Sequence, residues 1–296
     1  MPEADAVGAG SLQGRILQWY DEHARDLPWR SPEVSPWGVL VSEIMLQQTP
    51  VARVIPIWQE WMKTWPTAAD LAASPSGEAI RAWGRLGYPR RALRLHAAAV
   101  DIVSRFDGAV PSDYADLRSL PGIGDYTAAA VAAFGFGQAH AVLDTNVRRV
   151  LARVLAAEEF PRPAVTVAER AQAAALLPPA PTAAKWSVAV MELGALVCTA
   201  SRPRCASCPV EDLCAWVAAG RPAYDGPERK GQSWAGTDRM VRGRLMAVLR
   251  DAEGPVSQAQ LDAAWDLAEQ RDRALAGLLD DGLAVRSSEG MYSLPN

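Results

Sequence analysis

Apolar positions between residue 11 and about residue 220 recur at helical spacing, and few runs alternate with the two-residue period of a strand. Cap signals bracket one clear segment, because Ser35 and Pro36 stand where a helix begins and Pro50 where it ends. Further segments rich in Ala, Leu, Arg and Glu are predicted to be helical: 67–74, 75–87, 89–108, 111–137, 144–155 and 182–197. The pattern predicts an all-α structure for the first 220 residues.

The pattern changes near residue 220. Residues 221–236 are rich in Gly, Pro and charge and are predicted to be a linker. Residues 237–296 then show three helical segments and a short terminal β-hairpin with Ser-Glu-Gly at its turn. Three helices followed by a hairpin are typical of a small winged-helix module, which we expect at this end of the chain.

Composition favours a cytoplasmic protein with a packed core. The 296 residues are 49% hydrophobic and 22% charged. No apolar run approaches the roughly 18 residues of a membrane helix, and the N-terminus lacks the pattern of a secretory signal. We therefore predict no membrane partner and a reducing compartment, in which stable disulfides are disfavoured.

Charge is informative only locally. The net charge of −4 gives no reason to expect a nucleic-acid partner. Residues 81–105, however, carry six arginines against the single acid Asp101, and residues 148–153 add three more. Such basic faces can bind phosphate within an acidic protein, although solvated helix faces remain the alternative.

All four cysteines lie in one short segment with the spacing C-x6-C-x2-C-x5-C: Cys198, Cys205, Cys208 and Cys214. Zinc sites usually present two short pairs separated by a longer span. Here one short pair is flanked by single cysteines, which suits an iron–sulfur cluster with one thiolate on each iron. The spacing favours iron–sulfur and leaves zinc open.

A second motif is "LPGIG" between two predicted helices. Gly122 and Gly124 flank Ile123, and glycine permits positive φ and close approach of the backbone to a ligand. Backbone N–H groups at the start of the next helix form an anion site. This predicts a helix–hairpin–helix that holds DNA phosphates without reading sequence. An ordinary glycine-capped turn is the alternative.

Taken together, these motifs resemble the helix–hairpin–helix DNA glycosylases of the endonuclease III superfamily, which carry a 4Fe–4S cluster, and most closely the MutY-type adenine glycosylases. The matching pieces cover residues 15–220 in order: "LPWR" (27–30), "SEIMLQQT" (42–49), "RLGYPRR" (85–91), "LPGIGDYTAAA" (120–130), "VLDTNVRRVLAR" (142–153), "MELGALVC" (191–198) and the cysteine loop.

The resemblance implies a domain organisation. Residues 1–220 would form the catalytic region, with a six-helix subdomain at about 34–136 and an iron–sulfur subdomain from 1–33 plus 137–220. The winged-helix-like module would occupy 237–296. The four cysteines would ligate the 4Fe–4S cluster.

The implied activity is monofunctional hydrolysis of the N-glycosidic bond of adenine mispaired with 8-oxoguanine or guanine, after base flipping. Glu43 lies in an apolar helix, where burial would raise its pKa and keep a proton for adenine. Asp144, beside backbone donors and Arg148, would stay ionised and stabilise the sugar cation. Related lyases have a Schiff-base lysine at position 126, where this chain has Tyr126.

The resemblance also implies the DNA contacts. Gln48 and Tyr88 would fill the gap left by the flipped base or wedge the partner strand. The backbone contacts would come from Gly122, Gly124, Arg91 and Arg148, and the base pocket from Trp29, Arg30 and Val188. We expect a monomer on duplex DNA.

Three features depart from the family pattern. About 60 residues after the linker are too few for the large C-terminal domain that usually checks 8-oxoguanine. Thr145 replaces a glycine, and Val188 replaces a polar residue that can bond adenine, which makes base identity less strict. The alternatives are a mismatch thymine glycosylase of the same superfamily and a non-enzymatic iron–sulfur DNA-binding regulator.

Overall fold

The computed structural model describes residues 11–227 and 236–296, and these ranges are mainly helical, as expected. The helices of the described ranges are α1 Leu12–His23, α2 Pro36–Leu46, α3 Val51–Thr64, α4 Ala68–Ala72, α5 Ser76–Trp83, α6 Arg90–Phe106, α7 Tyr114–Ser119, α8 Asp125–Phe136, α9 Thr145–Ala156, α10 Val167–Ala175, α11 Thr182–Leu196, α12 Ala215–Ala218, α13 Asp238–Asp251, α14 Gln258–Asp262 and α15 Ala268–Asp280. Strands β1 Val285–Arg286 and β2 Tyr292–Ser293 form an antiparallel pair. None of the described helices is long and apolar enough to cross a membrane.

The chain divides into two compact units. The first contains all four cysteines, and we call it the cysteine unit; it comprises Met1–Arg30, Ser112–Arg118 and Ile123–Glu228. The second contains most of the buried tryptophans, and we call it the tryptophan unit; it comprises Ser31–Pro111, Ser119–Gly122 and Arg229–Asn296.

Indole rings build the core of the tryptophan unit. Trp61 packs edge-on against Trp65 and Trp83, with ring centroids 4.9 and 5.5 Å apart. Trp58 donates its indole N–H to the carbonyl of Gly38 on α2, at 2.9 Å. Bonding the polar end of Trp58 lets its large apolar surface be buried with its donor paired, whereas the buried indole N–H of Trp61 has no hydrogen-bond partner in the described structure. These contacts fix α2, α3 and α5 relative to one another.

In the cysteine unit, α1, α9 and α11 pack around a core that includes Ile16, Val150 and Leu193. Gly194 allows α11 to approach α9 closely, because a Cβ at this position would lie 2.7 Å from the Cβ of Asn146. This close approach brings the end of α11, and the cysteine loop that follows it, against α9.

The C-terminal segment has the predicted three helices and hairpin. α13, α14 and α15 bury Leu245, Leu261 and Leu278. Val256 adds a single antiparallel bridge to Tyr292 of the hairpin. The module belongs to the tryptophan unit, and the backbone N–H of Gly77 donates to the carbonyl of Pro295 at 2.8 Å.

Two predicted helix ends differ from the structure. α2 ends at Leu46 rather than at Pro50, because Gln48 adopts a left-handed φ of 53°. α5 ends at Trp83 rather than near Gly87, because Gly84 has a φ of 55°. In both places a residue with positive φ ends the helix before the predicted end at Pro50 or Gly87.

The predicted subdomain division stays a prediction, because units grouped by contact need not coincide with domains. Residues 228–235 of the predicted linker and residues 1–10 of the predicted iron–sulfur subdomain lie outside the described residues.

Candidate active site and cysteine loop

Glu43 lies on α2, where residues 37–45 are all buried. The helix begins with Ser35, whose hydroxyl accepts from the N–H of Gly38, and Pro36 fills its first turn. Only 5% of Glu43 is exposed. Glu43 is therefore an acid buried within an apolar helix, with its side chain shielded from water.

Two exposed loop residues of the tryptophan unit share an unusual backbone. Gln48 follows α2 with a φ of 53°, and Tyr88 precedes α6 with a φ of 48°. Non-glycine residues rarely adopt this conformation, and it costs about 1–3 kcal/mol unless surrounding contacts impose it. Both residues are ones for which the sequence predicts a DNA contact.

Arg91 supplies contacts that hold the backbone beside Gln48 and Tyr88. Its guanidinium donates to the carbonyls of Ile44 and Met45 at 2.9 and 3.0 Å, and to the Thr49 hydroxyl at 2.9 Å. It also donates to the carbonyl of Gly87 at 3.0 Å. One planar group with five donors thereby joins the loop after α2 to the loop before α6.

This geometry gives Arg91 an internal role. Its side chain is 7% exposed, and its donors point at protein carbonyls rather than at solvent. Burial lowers the pKa of Arg91 to about 10, so the group stays charged at neutral pH. Arg91 thus holds the loops that carry Gln48 and Tyr88, and its DNA contact stays a prediction.

The glycine hairpin has the expected backbone. Gly122 has a φ of 78°, and a Cβ there would lie 2.8 Å from the Cβ of Arg94. Gly124 caps α8 with a φ of −96° and open space around it. Both glycines are exposed. The Asp125 carboxylate, in the first turn of α8, pairs with Arg118 and Arg170 at 2.8 and 3.1 Å.

Asp144 caps α9. Its carboxylate accepts from the N–H of Val147 at 2.6 Å and from the Asn146 side chain at 2.7 Å. Burial raises the pKa of Asp144, while these hydrogen bonds and the charge of Arg149 oppose the rise. The shift is opposite to the expected one, because burial outweighs the donors. The nearby cation is Arg149 rather than Arg148.

Arg148 is occupied elsewhere. It is 9% exposed and forms a two-point ion pair with Glu169, with Nε–Oε1 at 2.6 Å and Nη2–Oε2 at 3.0 Å. A further donor reaches the carbonyl of Arg162 at 2.7 Å. Arg148 therefore has an internal role that holds the segment before α10, and its DNA contact stays a prediction.

Tyr126 lies in the first turn of α8, half-buried against Ala129, Ala130 and Val142. Position 126 thus carries a phenol on the helix that the glycine hairpin starts. Val142 comes two residues before Asp144, so the phenol and the capping carboxylate belong to neighbouring parts of the cysteine unit.

A buried carboxylate that the sequence reasoning missed pairs with Arg30, one of the residues predicted to line the base pocket. Glu192 on α11 is 0% exposed and pairs with Arg25 and Arg30 at 2.7 and 2.8 Å. Burial alone would raise its pKa, but hydrogen bonds from the two arginines outweigh burial and hold the pKa at about 2. An acid inside the apolar run "VAVMELGALV" was the available signal.

The other two expected pocket residues differ in exposure. Trp29 is 8% exposed, and Val188 on α11 is half-buried. Arg30 is turned toward Glu192, so its charge is already balanced within the protein. We infer that Arg30 shapes this region through its ion pair.

The four cysteine side chains line one pocket, together with Val197, Pro203 and Trp216. None of the four forms a disulfide; Cys214 is buried and the others are half-buried. Burial, with the three neighbouring thiols adding to it, raises the pKa of Cys208 to about 12. A thiol of this kind ionises only when a bound cation compensates the charge, as iron does.

Arg153 completes the fit to an anionic group. This arginine is 1% exposed, and its guanidinium donates to Cys198 Sγ at 3.3 Å and to the carbonyl of Thr199 at 2.9 Å. A buried cation directed at a sulfur suits four thiolates bound to a cluster. When bound, a 4Fe–4S cluster held by the four cysteines would cross-link the loop.

Family models match both regions. The model of the HhH-GPD superfamily base excision DNA repair proteins matches residues 41–174. The model of the iron–sulfur binding domain of endonuclease III matches residues 198–214, which span the four cysteines. The match decides between iron–sulfur and zinc for this loop.

Known proteins match over the whole length. The adenine DNA glycosylase of Mycobacterium tuberculosis is 51% identical over 298 residues, which cover 100% of this chain and 97% of that protein. This chain belongs to the adenine DNA glycosylase family. The human adenine DNA glycosylase is 41% identical over 71% of this chain and 40% of its own length. A thermostable thymine-DNA glycosylase has the same fold, with a TM-score of 0.64 and 26% identity over 70% of this chain and 95% of its own.

Family membership makes the chain a DNA repair enzyme with DNA as its partner, and the interpretation as a non-enzymatic regulator is wrong. This member of the adenine DNA glycosylase family combines a region that matches the HhH-GPD model with an iron–sulfur loop.

We predict that Gly122→Ala and Gly124→Ala act differently. Gly122→Ala forces a left-handed φ on alanine and a clash with Arg94, so it lowers the thermal midpoint and the affinity for duplex DNA. Gly124→Ala meets open space, so stability falls by less than about 1 kcal/mol. Its methyl group stands before the exposed N–H groups and weakens DNA binding. Wild-type affinity in Gly124→Ala would contradict the anion-site assignment.

We predict a pH-dependent role for Glu192. Its folded-state pKa of about 2 lies below the ordinary 4.5, so its stabilisation is present above pH 4.5 and is lost as the pH falls through about 2. Glu192→Gln should lower stability at pH 7 by about 3 kcal/mol. The difference in unfolding free energy between wild type and Glu192→Gln should become smaller as the pH falls below about 5.

Thermal unfolding followed by circular dichroism measures this gap. The matched control is Glu60→Gln, since Glu60 pairs with Lys63 at the surface and should contribute at most about 1 kcal/mol. A gap for Glu192→Gln that stays constant from pH 7 to pH 3 would show that its charge is not what stabilises the fold.

Proposed function

We propose that this chain hydrolyses the N-glycosidic bond of adenine mispaired with 8-oxoguanine or guanine in duplex DNA, without cutting the strand. The observation that carries the proposal is the identity of 51% with an adenine DNA glycosylase over the entire chain. The buried Glu43, the capping Asp144 and the exposed glycine hairpin support it residue by residue.

In the proposed mechanism, Glu43 acts as the general acid. Its proton goes to a ring nitrogen of adenine as the bond between the base and C1′ breaks, and the bonding electrons leave with the base. Water then adds to C1′ and returns a proton to the Glu43 carboxylate. The products are free adenine and an abasic site.

Asp144 acts in this mechanism as the anion that stabilises the positively charged sugar. Its hydrogen bonds from Val147 and Asn146 fix the carboxylate orientation before the substrate arrives. Burial strengthens the attraction of this carboxylate to a developing cation, because water screens the charges less. Burial also raises the pKa of Asp144, so the carboxylate is protonated at higher pH than an ordinary aspartate. Activity that depends on the anion is therefore lost early on the acid side.

Strand cleavage by β-elimination needs an amine that forms a Schiff base with C1′. The chain has three lysines, Lys63, Lys185 and Lys230. Lys63 and Lys185 lie in ion pairs with Glu60 and Asp21, and Lys230 lies outside the described residues. With Tyr126 on α8, the proposed enzyme is monofunctional.

The proposed DNA contacts are the hairpin N–H groups around Gly124 and the loop residues Gln48 and Tyr88. Their exposure suits contact with the backbone and with the gap left by a flipped base. We also propose a monomer that acts in the cytoplasm, with residues 1–220 as the catalytic region.

Thymine release from mismatches is the second candidate function. It is favoured by the fold shared with a thymine-DNA glycosylase and by Val188, whose side chain cannot bond a base edge. The much higher identity to adenine glycosylases favours adenine.

We expect adenine release in single-turnover assays on duplexes that pair A, T, G or C opposite 8-oxoguanine or guanine. Rates should be highest for adenine opposite 8-oxoguanine. Glu43→Gln and Asp144→Asn should each lower that rate by about 10²- to 10⁴-fold, because each removes a charge or proton used in the transition state.

The control for Asp144→Asn is Asp113→Asn. Both aspartates accept from backbone N–H groups at a helix start, and asparagine caps a helix about as well as aspartate. Asp113→Asn should keep the wild-type rate. Full activity in either catalytic variant would refute the roles given to that residue, and release of thymine instead of adenine would favour the second candidate.

We expect no efficient covalent trapping when the protein is incubated with abasic-site duplex and borohydride. A phenol at position 126 cannot form the imine that borohydride reduces. A lysine-bearing lyase of the same superfamily serves as the positive control. An adduct formed at a comparable yield would refute the monofunctional proposal.

A further inference from the structure

The C-terminal module is attached to the helices before and after Tyr88. The guanidinium of Arg81 on α5 donates to the carbonyls of Arg250 and Ala252, the latter at 3.0 Å. Arg90, in the first turn of α6, pairs with Asp281 at 3.1 Å. These contacts lie on both sides of the 84–89 loop in sequence, and they hold the end of α13 and the residue that follows α15 against α5 and α6.

Tyr88 lies against two guanidinium groups. Arg91, the second residue of α6, lies 5.6 Å from the ring centroid. Arg239, the second residue of α13, lies 4.5 Å from it. The tyrosine is 39% exposed and has a left-handed backbone. A cation at 4.5 Å from a ring centroid attracts the ring face and restricts its rotamers.

The arginines of the module are most numerous on α13, the helix whose first turn lies next to Tyr88. α13 carries four arginines against two acids. α15, the helix that would enter a DNA groove in an independent helix-turn-helix reader, carries three acids against two arginines. Both of those arginines are paired, Arg271 with Asp262 at 2.9 Å and Arg273 with Asp238 at 3.0 Å. The module thus lacks the usual basic recognition helix.

We infer that the C-terminal module serves the DNA-contact surface of the catalytic region through Arg239, which holds the ring of Tyr88 in the orientation that meets duplex DNA. This rests on the proposed function, in which Tyr88 contacts the duplex. Arg239 is a positioning residue: its guanidinium restricts the Tyr88 ring, and the energy gained on binding is realised through that ring.

The inference predicts that Arg239→Ala lowers affinity for a duplex with one A:8-oxoguanine pair by about 3- to 30-fold. The single-turnover rate at saturating DNA should change less than threefold, because the reacting groups are untouched. In Glu43→Gln protein, which holds the duplex without releasing adenine, 2-aminopurine beside the mispair should report less unstacking when Arg239 is replaced. Arg239→Lys should restore part of both signals.

Arg244→Ala is the matched control. Arg244 lies on the same helix, and its guanidinium faces the Trp265 ring at 5.9 Å, within the module. Removing it deletes the same charge without touching Tyr88, and affinity should stay within twofold of wild type. Thermal midpoints of all variants check that the fold is intact.

A double-mutant cycle decides whether Arg239 acts through Tyr88. If it does, Arg239→Ala adds no loss of affinity in a Tyr88→Ala protein. Losses that multiply would mean that Arg239 acts independently of Tyr88, which overturns the inference, as would equal effects of Arg239→Ala and Arg244→Ala.

The failure of the proposed function gives a different result. Wild-type protein that releases no adenine refutes that function, whatever the binding data show. Active wild type with an unaffected Tyr88→Ala protein refutes the DNA contact of Tyr88, and with it the inference. Active wild type with an impaired Tyr88→Ala protein and an unimpaired Arg239→Ala protein refutes the inference alone.

Discussion

Buried guanidinium groups bonded to backbone carbonyls are the interaction on which the functional loops of this protein depend. The loops that carry Gln48, Tyr88 and the cysteines cannot be held by helical hydrogen bonds, yet parts of them lie away from water. Arg91, Arg149 and Arg153 supply donors to these carbonyls. A planar fork with five N–H groups can bond several carbonyls at once, which lysine cannot do.

This use of arginine changes the meaning of the charge pattern. The basic stretches read as phosphate-binding faces, but much of their charge is internal. Arg91, Arg148 and Arg153 are all nearly buried, and Arg81 bonds carbonyls of the C-terminal segment. An acidic chain can therefore bind DNA through a small surface of cations and N–H groups, while many of its arginines hold the loops in place.

The same principle links the cysteine loop to the capping aspartate. Arg149 bonds the Asn146 side chain at 2.8 Å, the carbonyl of Cys198 at 2.8 Å and the carbonyl of Gly194 at 2.7 Å. Asn146 in turn bonds Asp144. A bound cluster that fixes Cys198 would thus also fix the backbone beside Asp144, which gives the iron–sulfur loop a structural link to the proposed chemistry within one unit.

The sequence by itself determined the helical class, the capped start of α2, the glycine hairpin, the terminal hairpin and the ligand set for the cluster. Each of these is set by local chemistry: helical spacing, a Ser-Pro cap, glycines at the turn and the spacing of thiolates. It also identified Glu43 as an acid in an apolar helix. Tertiary structure alone decided which arginines are internal, that Glu192 is paired with Arg25 and Arg30, that burial raises the pKa of Asp144, and that Arg239 meets Tyr88. Those outcomes depend on residues far apart in sequence and on burial, and neither is encoded in the period or spacing of any one segment.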